Sequence, residues 1–568
     1  MAEAPPPTSM KPRPWQLGAA GLGVFMLAVA LFLGFRGGTT PPTTTISEPP
    51  ITTSTTTTTS VVTTRPVTTS TTTTAGPTTT TEARTVFDVI VVGDGMGGAT
   101  AAAVAARLGA ETLLLSPIGY FGGQAGASGV STMDEGGNRN VLRRSGVYKE
   151  LVDFIRLWYG VLGTGDCYFL EDPLCPEPTA VDEFFRNLLA NAGVTVVPAG
   201  PITDVLQEGT TVTGLNSEGV KYQARIVIDA TEFSDLYPLI EGLQYEIGDP
   251  AGCVQDTTWV AIRSWYSFGT APNQFIPPED AIDQLRSVYG AEVDDWLQHF
   301  RSEVVISNPA GTGPTVLPWD LSTETAYRAL LDSRADIYLP NAPPNTRTGV
   351  NYANDSALSI AAIEDPAARE QEFRKALHVT YAFLWYLRWE LGVTDWGVAN
   401  DLRYAGTTRL LWDDLIPDEL EMNLPPFPYI REGRRLIAEY NLGAADLTDS
   451  VRERHRFDDA VMLGGYFPDF HGCLPTDEVS GYGLFEVPIG VFIPAQIDGF
   501  LPGLARAAGV SRVASAAMRT QPEEMWGGQV AGTIAGLAVA TGVQPRDVPT
   551  IDVQNQLREA GLVFFLPG

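Results

Sequence analysis

The stretch from Asp88 to Ser116, DVIVVGDGMGGATAAAVAARLGAETLLLS, constrains this 568-residue chain more than any other. Val89 to Val92 is an apolar run too short for a helix and rich in β-branched residues, which predicts a buried strand. Gly93, Gly95 and Gly98 follow in G-x-G-x-x-G spacing, then an alanine-rich helix over Ala99 to Leu108 and a second apolar strand over Thr112 to Leu115. In such a unit the first glycine permits the tight turn, the second admits a pyrophosphate to the backbone, and the third lets helix and strand pack closely. The free N–H groups at the helix start then face the phosphates. A glycine-rich turn without a ligand is the bland alternative, and the complete βαβ setting argues against it.

The formal net charge of −30, from 67 acidic and 37 basic residues, argues against nucleic acid or an anionic membrane surface as the main partner. The cysteines, Cys167, Cys175, Cys253 and Cys473, show neither C-x-x-C spacing nor a histidine-paired pattern, so no metal site is expected. Cys167 and Cys175 either close a small disulfide loop in an oxidising compartment or are free buried thiols. Leu17 to Phe35 is a run of 19 uncharged, mostly apolar positions, roughly 28 Å long as a helix and close to the thickness of a bilayer core. Lys11 and Arg13 precede it and Arg36 follows. The pattern predicts a cytoplasmic tail over 1–16, a single transmembrane helix over 17–35, read as an uncleaved signal anchor, and a catalytic part outside the cytoplasm at the cell membrane. Residues 36–83 are Thr- and Pro-rich, with Glu48, Arg65 and Glu82 the only charges between Thr39 and Ala83. Nothing there can form a core, so a disordered linker is expected.

The globular part starts near Arg84. Ile118 to Gly137 is too glycine-dense for core structure and directly follows the second strand, where it can wrap a ligand. Val141 to Trp158 and Val181 to Leu189 read as amphipathic helices, and Val194 to Val197, Ile202 to Leu206 and Tyr222 to Ala230 as strands. The middle of the chain, 236–458, mixes helix and loop signals and reads as an inserted substrate or cap region. Its clearest element is Glu370 to Leu391, an aromatic stripe at helical spacing, which is usually core. From 459 the nucleotide-fold pattern returns, with Leu484 to Ile493, Asp498 to Leu504 and the glycine-rich helix Glu523 to Thr541. Gly527, Gly528, Gly532 and Gly536 are costly in an exposed helix and make sense in one that packs tightly, with its N-terminal end near a ligand.

Together these pieces resemble the FAD-dependent oxidoreductase family of the glutathione-reductase-like flavoproteins. The likeness spans Val86 to Leu566 and rests on the first motif, the Gly122-Gly123 loop, IDATEFSDLYPLI at 228–240, PYIREGRRLIAEY at 428–440 and MRTQPEEMWGGQVAGTIAGLA at 518–538. The resemblance implies an α/β chain: a Rossmann-like FAD-binding domain assembled from 84–235 and 459–568, with an inserted α+β substrate domain. It implies cofactor contacts at Gly93, Gly95, Met96, Gly97, Gly98, Ser116, Gly122, Gly123, Gln124, Ser128, Ala230, Thr231, Gly527, Gly528 and Gln529. Two positions depart from the family pattern. Ser116 stands where a carboxylate usually grips the adenosine ribose, and a hydroxyl cannot make that charge-assisted contact. Glu232 replaces the glycine that follows Ala-Thr in the second motif.

FAD chemistry would need a residue to remove a proton as a substrate hydride leaves. Of His299, His378, His455 and His471, the last lies in the loop-like GGYFPDFHGC just before the C-terminal flavin segment, and is either a general base or a structural histidine. His378, on the aromatic helix, reads as packed or surface-lying. Arg431, with Arg434 and Arg435, suits a carboxylate or polyhydroxyl substrate, or pairs with glutamates. Arg519 faces flavin or substrate, or makes an interdomain ion pair. The expected activity is hydride transfer from a small polar substrate to FAD, with oxygen, a quinone or another carrier as electron acceptor. The alternatives are an NAD(P)-linked reductase and a flavin-fold surface-binding protein without catalysis. Gly95→Val places a branched side chain in the pyrophosphate's path. The purified variant is expected to carry no flavin, and stoichiometric flavin in its absorbance spectrum would contradict the assignment.

Overall fold

Short apolar runs at both ends of the globular chain meet in one parallel sheet. The computed structural model describes residues 85–566 except 136–143, 161–173, 267–270, 304–328, 334–345, 352, 410–411, 448–455 and 476–482. Strands β1 (Val89–Val92), β2 (Thr112–Ser116), β3 (Thr195–Pro198), β4 (Ile226–Asp229) and β5 (Phe500–Pro502) lie in the order β5-β4-β1-β2-β3. Every residue of β1, β2 and β4 is buried, which is why these segments read as continuous apolar runs and not as alternating ones. Val89 stands opposite Thr112 on one side and Ile226 on the other. The last strand, β5, returns from near the C-terminus to pair with β4.

Helix α1 (Met96–Arg107) connects β1 to β2, and α2 (Gly146–Tyr159) and α3 (Pro178–Ala192) follow. Of the single strand expected over Tyr222 to Ala230, only part enters the parallel sheet. Ala224 N–H bonds Thr213 O whereas Arg225 N–H bonds Asp88 O, so the apolar run changes sheets between them. Val220–Gln223 pairs instead with Thr211–Ser217, itself paired with Ile202–Glu208 in a three-stranded antiparallel sheet. The Leu484 to Ile493 segment is a strand over Phe485–Pro488 that runs into a 3-10 turn.

Between these parts, Ala261–Trp265 pairs antiparallel with Arg347–Val350 and Trp396–Val398. Helix α4 (Pro366–Trp385) starts with Pro366 in its first turn and Asp365 as N-cap, whose side chain accepts from Ala367 N at 2.9 Å. Its aromatic stripe is core. Phe373, Leu377, Tyr381 and Phe383 bury with Trp259 and Ile430 in an apolar cluster separate from the one around the parallel sheet. The expected transmembrane helix at 17–35 and linker at 36–83 lie outside the described residues. Among the described residues no helix is long and apolar enough to cross a membrane.

Helix α5 (Gln521–Thr541) lies against α1 through backbone contact. A Cβ on Gly528 would stand 2.1 Å from Gly97 O, and one on Gly532 would stand 2.5 Å from Ala101 O. Gly528→Val must therefore push the two helices apart. It is expected to lower stability by about 1–3 kcal/mol, read as a lower melting temperature of the full chain. An unchanged melting temperature would contradict this packing.

Candidate active site

The nucleotide motif is built as its spacing requires. Gly93 has φ +114°, and a Cβ there would stand 2.2 Å from Ala230 O, so the end of β1 and the end of β4 touch through backbone. A Cβ on Gly98 would stand 2.0 Å from Gly93 O, which binds the start of α1 to the turn. Gly95 is the N-cap of α1, with no side chain capping the helix and no acidic residue in its first turn. The closest backbone to a Cβ built on Gly95 is Gly123 Cα, at 3.8 Å. A narrow gap thus remains between the motif and the glycine loop, at the positive end of a helix dipole. Loop and motif are joined by Gly122 N–H to Asp94 O at 3.0 Å.

Several residues expected to touch a cofactor are committed elsewhere. The Ser116 hydroxyl donates to Asp94 Oδ2 at 2.6 Å and accepts from Gly119 N at 3.2 Å. It shapes the loop and leaves no donor for a ribose. Asp94 also accepts from Ile118 N and Gly119 N, and burial raises its pKa against these bonds. Thr231 donates through both N–H and hydroxyl to Asp229, whose carboxyl burial pushes up to about 7. Gly527, Gly528 and Gln529 lie within α5, not at its N-terminal end, because the helix begins at Gln521. Gly527 packs on Ala505 and Gly528 on Gly97, while Gln529 Oε1 accepts from Val147 N at 3.0 Å. Ser128 donates to Pro428 O at 3.0 Å and ties the glycine loop to the inserted region. Gln124 Nε2 donates to Arg519 O at 2.9 Å, but its buried Oε1 has no hydrogen-bond partner among the described residues.

His471, Arg431 and Arg519 converge. His471 Nδ1 lies 2.5 Å from Asp355 Oδ2, and Nε2 lies 3.3 Å from Asp469 Oδ2. Arg431 donates to Asp355 Oδ1 at 3.1 Å and to Asp256 O at 2.8 Å. Arg519 donates to Asp469 Oδ2 at 2.8 Å and to the Tyr429 hydroxyl. Thr258 donates its hydroxyl to Asp355. Burial acts to raise Asp355, but Arg431, His471 and Thr258 outweigh it and hold the carboxyl below its ordinary value. Asp469 is likewise held well below the usual range, where burial is outweighed by His471 and Arg519. An ionised carboxylate only accepts, so the Nδ1 at 2.5 Å from Asp355 donates to it, and the Nε2 contact to Asp469, longer at 3.3 Å, is the one a substrate can displace.

A tether fixes this loop. Cys253 and Cys473 form a disulfide across 220 residues of sequence. Asp256 N donates to His471 O at 3.0 Å, and His471 N donates to Gln255 Oε1 at 3.3 Å. This pairing had no sequence signal. Cys175 is also disulfide-bonded, and Cys167 lies outside the described residues. Sequence reasoning also missed Asp355 and Asp469. Asp469, two residues before His471, was open to inspection, whereas Asp355 is brought in by the fold alone. His378 is packed, between Tyr289 at 2.8 Å and Asp413 at 2.8 Å. Arg434 and Arg435 pair with Asp235 and Glu432, as structural ion pairs would. Among the described residues no cluster of His, Cys, Asp or Glu could hold a metal ion.

The residues present fit FAD. The uncapped start of α1, the gap beside Gly95, whose near side-chain atom is Glu232 Oε1, and the Gln124 Oε1 are what a bound pyrophosphate and ring system would use.

No curated protein matches the chain. GidA of Aquifex aeolicus is 17% identical over 26% of this chain and 25% of that one, with a TM-score of 0.20. Thioredoxin reductase of T. acidophilum is 16% identical over 26% of this chain and 35% of its own, with a TM-score of 0.17. The flavin-dependent brominase Bmp2 is 15% identical over 33% and 47%, with a TM-score of 0.23. The chain spans less than half the length of each, and likenesses this slight carry no assignment. The family model described as FAD dependent oxidoreductase matches residues 88–557. With that match over most of its length, the chain belongs to the FAD-dependent oxidoreductase family.

Proposed function

We propose that this FAD-dependent oxidoreductase oxidises a small polar substrate bearing a hydroxyl or amine, with His471 as general base. The observation that carries the reading is the 2.5 Å contact between His471 Nδ1 and Asp355. It holds Nδ1–H on Asp355 and leaves Nε2, whose contact to Asp469 is the longer at 3.3 Å, as the nitrogen that takes a proton once substrate displaces that contact. Bound FAD supplies the hydride acceptor. His471 Nε2 takes the substrate proton, and the imidazolium that forms lies between Asp355 and Asp469. Arg519 and Arg431 balance those two carboxylates and hold their geometry. Tyr429 is buried against Arg431, with the guanidinium 4.8 Å from the ring centroid.

In this reading, 84–235 and 459–568 hold FAD, 236–458 faces the substrate, and oxygen, a quinone or another carrier accepts the electrons. Residues 17–35 anchor the enzyme to the cell membrane in a single pass, with the catalytic part outside the cytoplasm. The Cys253–Cys473 bond supports that placement, because structural disulfides persist in oxidising compartments.

His471→Ala is expected to slow anaerobic flavin reduction by small alcohols or amines about 10²–10⁴-fold with flavin still bound. Asp355→Asn is expected to slow it as well, because an amide can donate to Nδ1 and shift the proton to Nε2. Unchanged rates would remove the dyad from the mechanism. Cys253→Ser is expected to slow reduction without flavin loss, because the 469–474 loop loses its covalent tether; wild-type rates in that variant would show that hydrogen bonds alone position His471.

A further inference from the structure

Glu232, which replaces a glycine of the second nucleotide motif, changes the pyrophosphate end of the site. A Cβ on Gly95 would stand 3.2 Å from Glu232 Oε1, and so would one on Gly123. That oxygen therefore lies against the gap between the two glycines, over the start of α1. Its partner Oε2 accepts from Arg506 Nη2 at 2.5 Å, and Arg506 Nη1 donates to Glu524 Oε1 at 2.7 Å. The other Glu524 oxygen accepts from Ala505 N at 3.2 Å. Arg506 and Glu524 are buried, whereas the Glu232 side chain is 22% exposed and reaches the gap. One guanidinium thus serves two carboxylates.

The charged groups that act on the Glu524 carboxyl are Arg506 and Glu232, and Ala505 N–H donates to it. Of the other buried carboxyls, Glu523, beside it in the chain, accepts from the Thr520 hydroxyl, and Asp229, pushed up to about 7 by burial, accepts from Thr231 and Leu236. A pyrophosphate entering the gap brings negative charge beside a cluster that is already one positive charge short. Like charges a few ångströms apart in a buried setting cost far more than they do in water. Nothing else on this path is anionic in the first turn of α1, which otherwise attracts phosphate.

We propose that Glu232 is an anionic gate on cofactor loading: the pyrophosphate takes the gap as the Glu232–Arg506–Glu524 cluster takes up a proton, so FAD binds more tightly in acid. Glu524 is the buried one of the two carboxylates that share Arg506, and so the costlier to leave ionised when a further negative charge arrives. Burial pushes its carboxyl up to about 7, Arg506 pulls it down, and the neighbouring Glu232 charge adds to the rise. A bound anion raises it further. Below that value the proton is already present and affinity is flat. Above it the proton must come from solvent, and Kd climbs by up to about tenfold per pH unit. Replacing Glu232 by the neutral, near-isosteric glutamine removes the repulsion, and replacing Glu524 removes the proton site.

The test is titration of FAD into the flavin-free full chain, followed by flavin fluorescence quenching from about pH 6 to about pH 9. Wild type is expected to lose affinity above about pH 7 with a slope approaching tenfold per unit. Glu232→Gln is expected to bind about tenfold tighter or more at the alkaline end, and Glu524→Gln to show no pH dependence. Glu232→Gly, the residue the motif itself uses, is the second variant should glutamine disturb folding. Calorimetry of wild type in two buffers of different ionisation enthalpy is expected to show proton uptake on binding. A pH-independent wild-type Kd would overturn the proposal, as would Glu232 variants that bind FAD no more tightly than wild type.

Discussion

The close backbone contact between α1 and α5 is what the rest of the molecule depends on. Gly97, Gly528 and Gly532 let two helices from opposite ends of the chain touch without side chains between them. Neither helix has much amphipathic character of its own. Both are buried almost throughout, and their alanine- and glycine-rich sequences make sense only in contact. The contact fixes where α5 begins, and therefore where Arg519 stands just before it. From there Arg519 reaches Gln124 of the glycine loop through its carbonyl and Asp469 through its guanidinium. A packing feature of the cofactor fold is in this way connected to the candidate catalytic loop.

Two charge clusters sit along that path and solve the same problem differently. Around His471, two arginines face two ionised carboxylates, so an imidazolium there would find complementary charge on both sides. Around Glu232, one arginine faces two carboxylates, and burial leaves Glu524 near neutrality. The first arrangement stabilises a charge that appears during turnover. The second resists a charge that arrives with the cofactor. Buried ion pairs contribute little net stability on their own, which makes function the better explanation for keeping both.

The parallel sheet was legible because it is coded locally. Val89–Val92 has the bounds its apolar run predicts, and the glycine spacing fixes the turn that follows. The aromatic helix was legible for the same reason, as a periodic pattern within one segment. What was not legible depends on contacts distant in sequence. Asp355 reaches His471 only because Asp355–Ser356 pairs with Thr257–Thr258, beside the residues that hold the His471 loop. The Cys253–Cys473 pairing follows from the same closure. The bond from the Ser116 hydroxyl to Asp94 joins residues 22 apart and has no local sequence signal. The strand break at Ala224 was hidden by an uninterrupted apolar run that serves two sheets.

The most direct measurement is the structure of the FAD-bound holoenzyme, read for the position of His471 Nε2 relative to the reactive nitrogen of the flavin ring. The account predicts that one small molecule bridges them, with its hydride-donating carbon and its exchangeable proton each within about 3.5 Å of its acceptor. A separation that no single small substrate can span would contradict the assignment of His471 as the base.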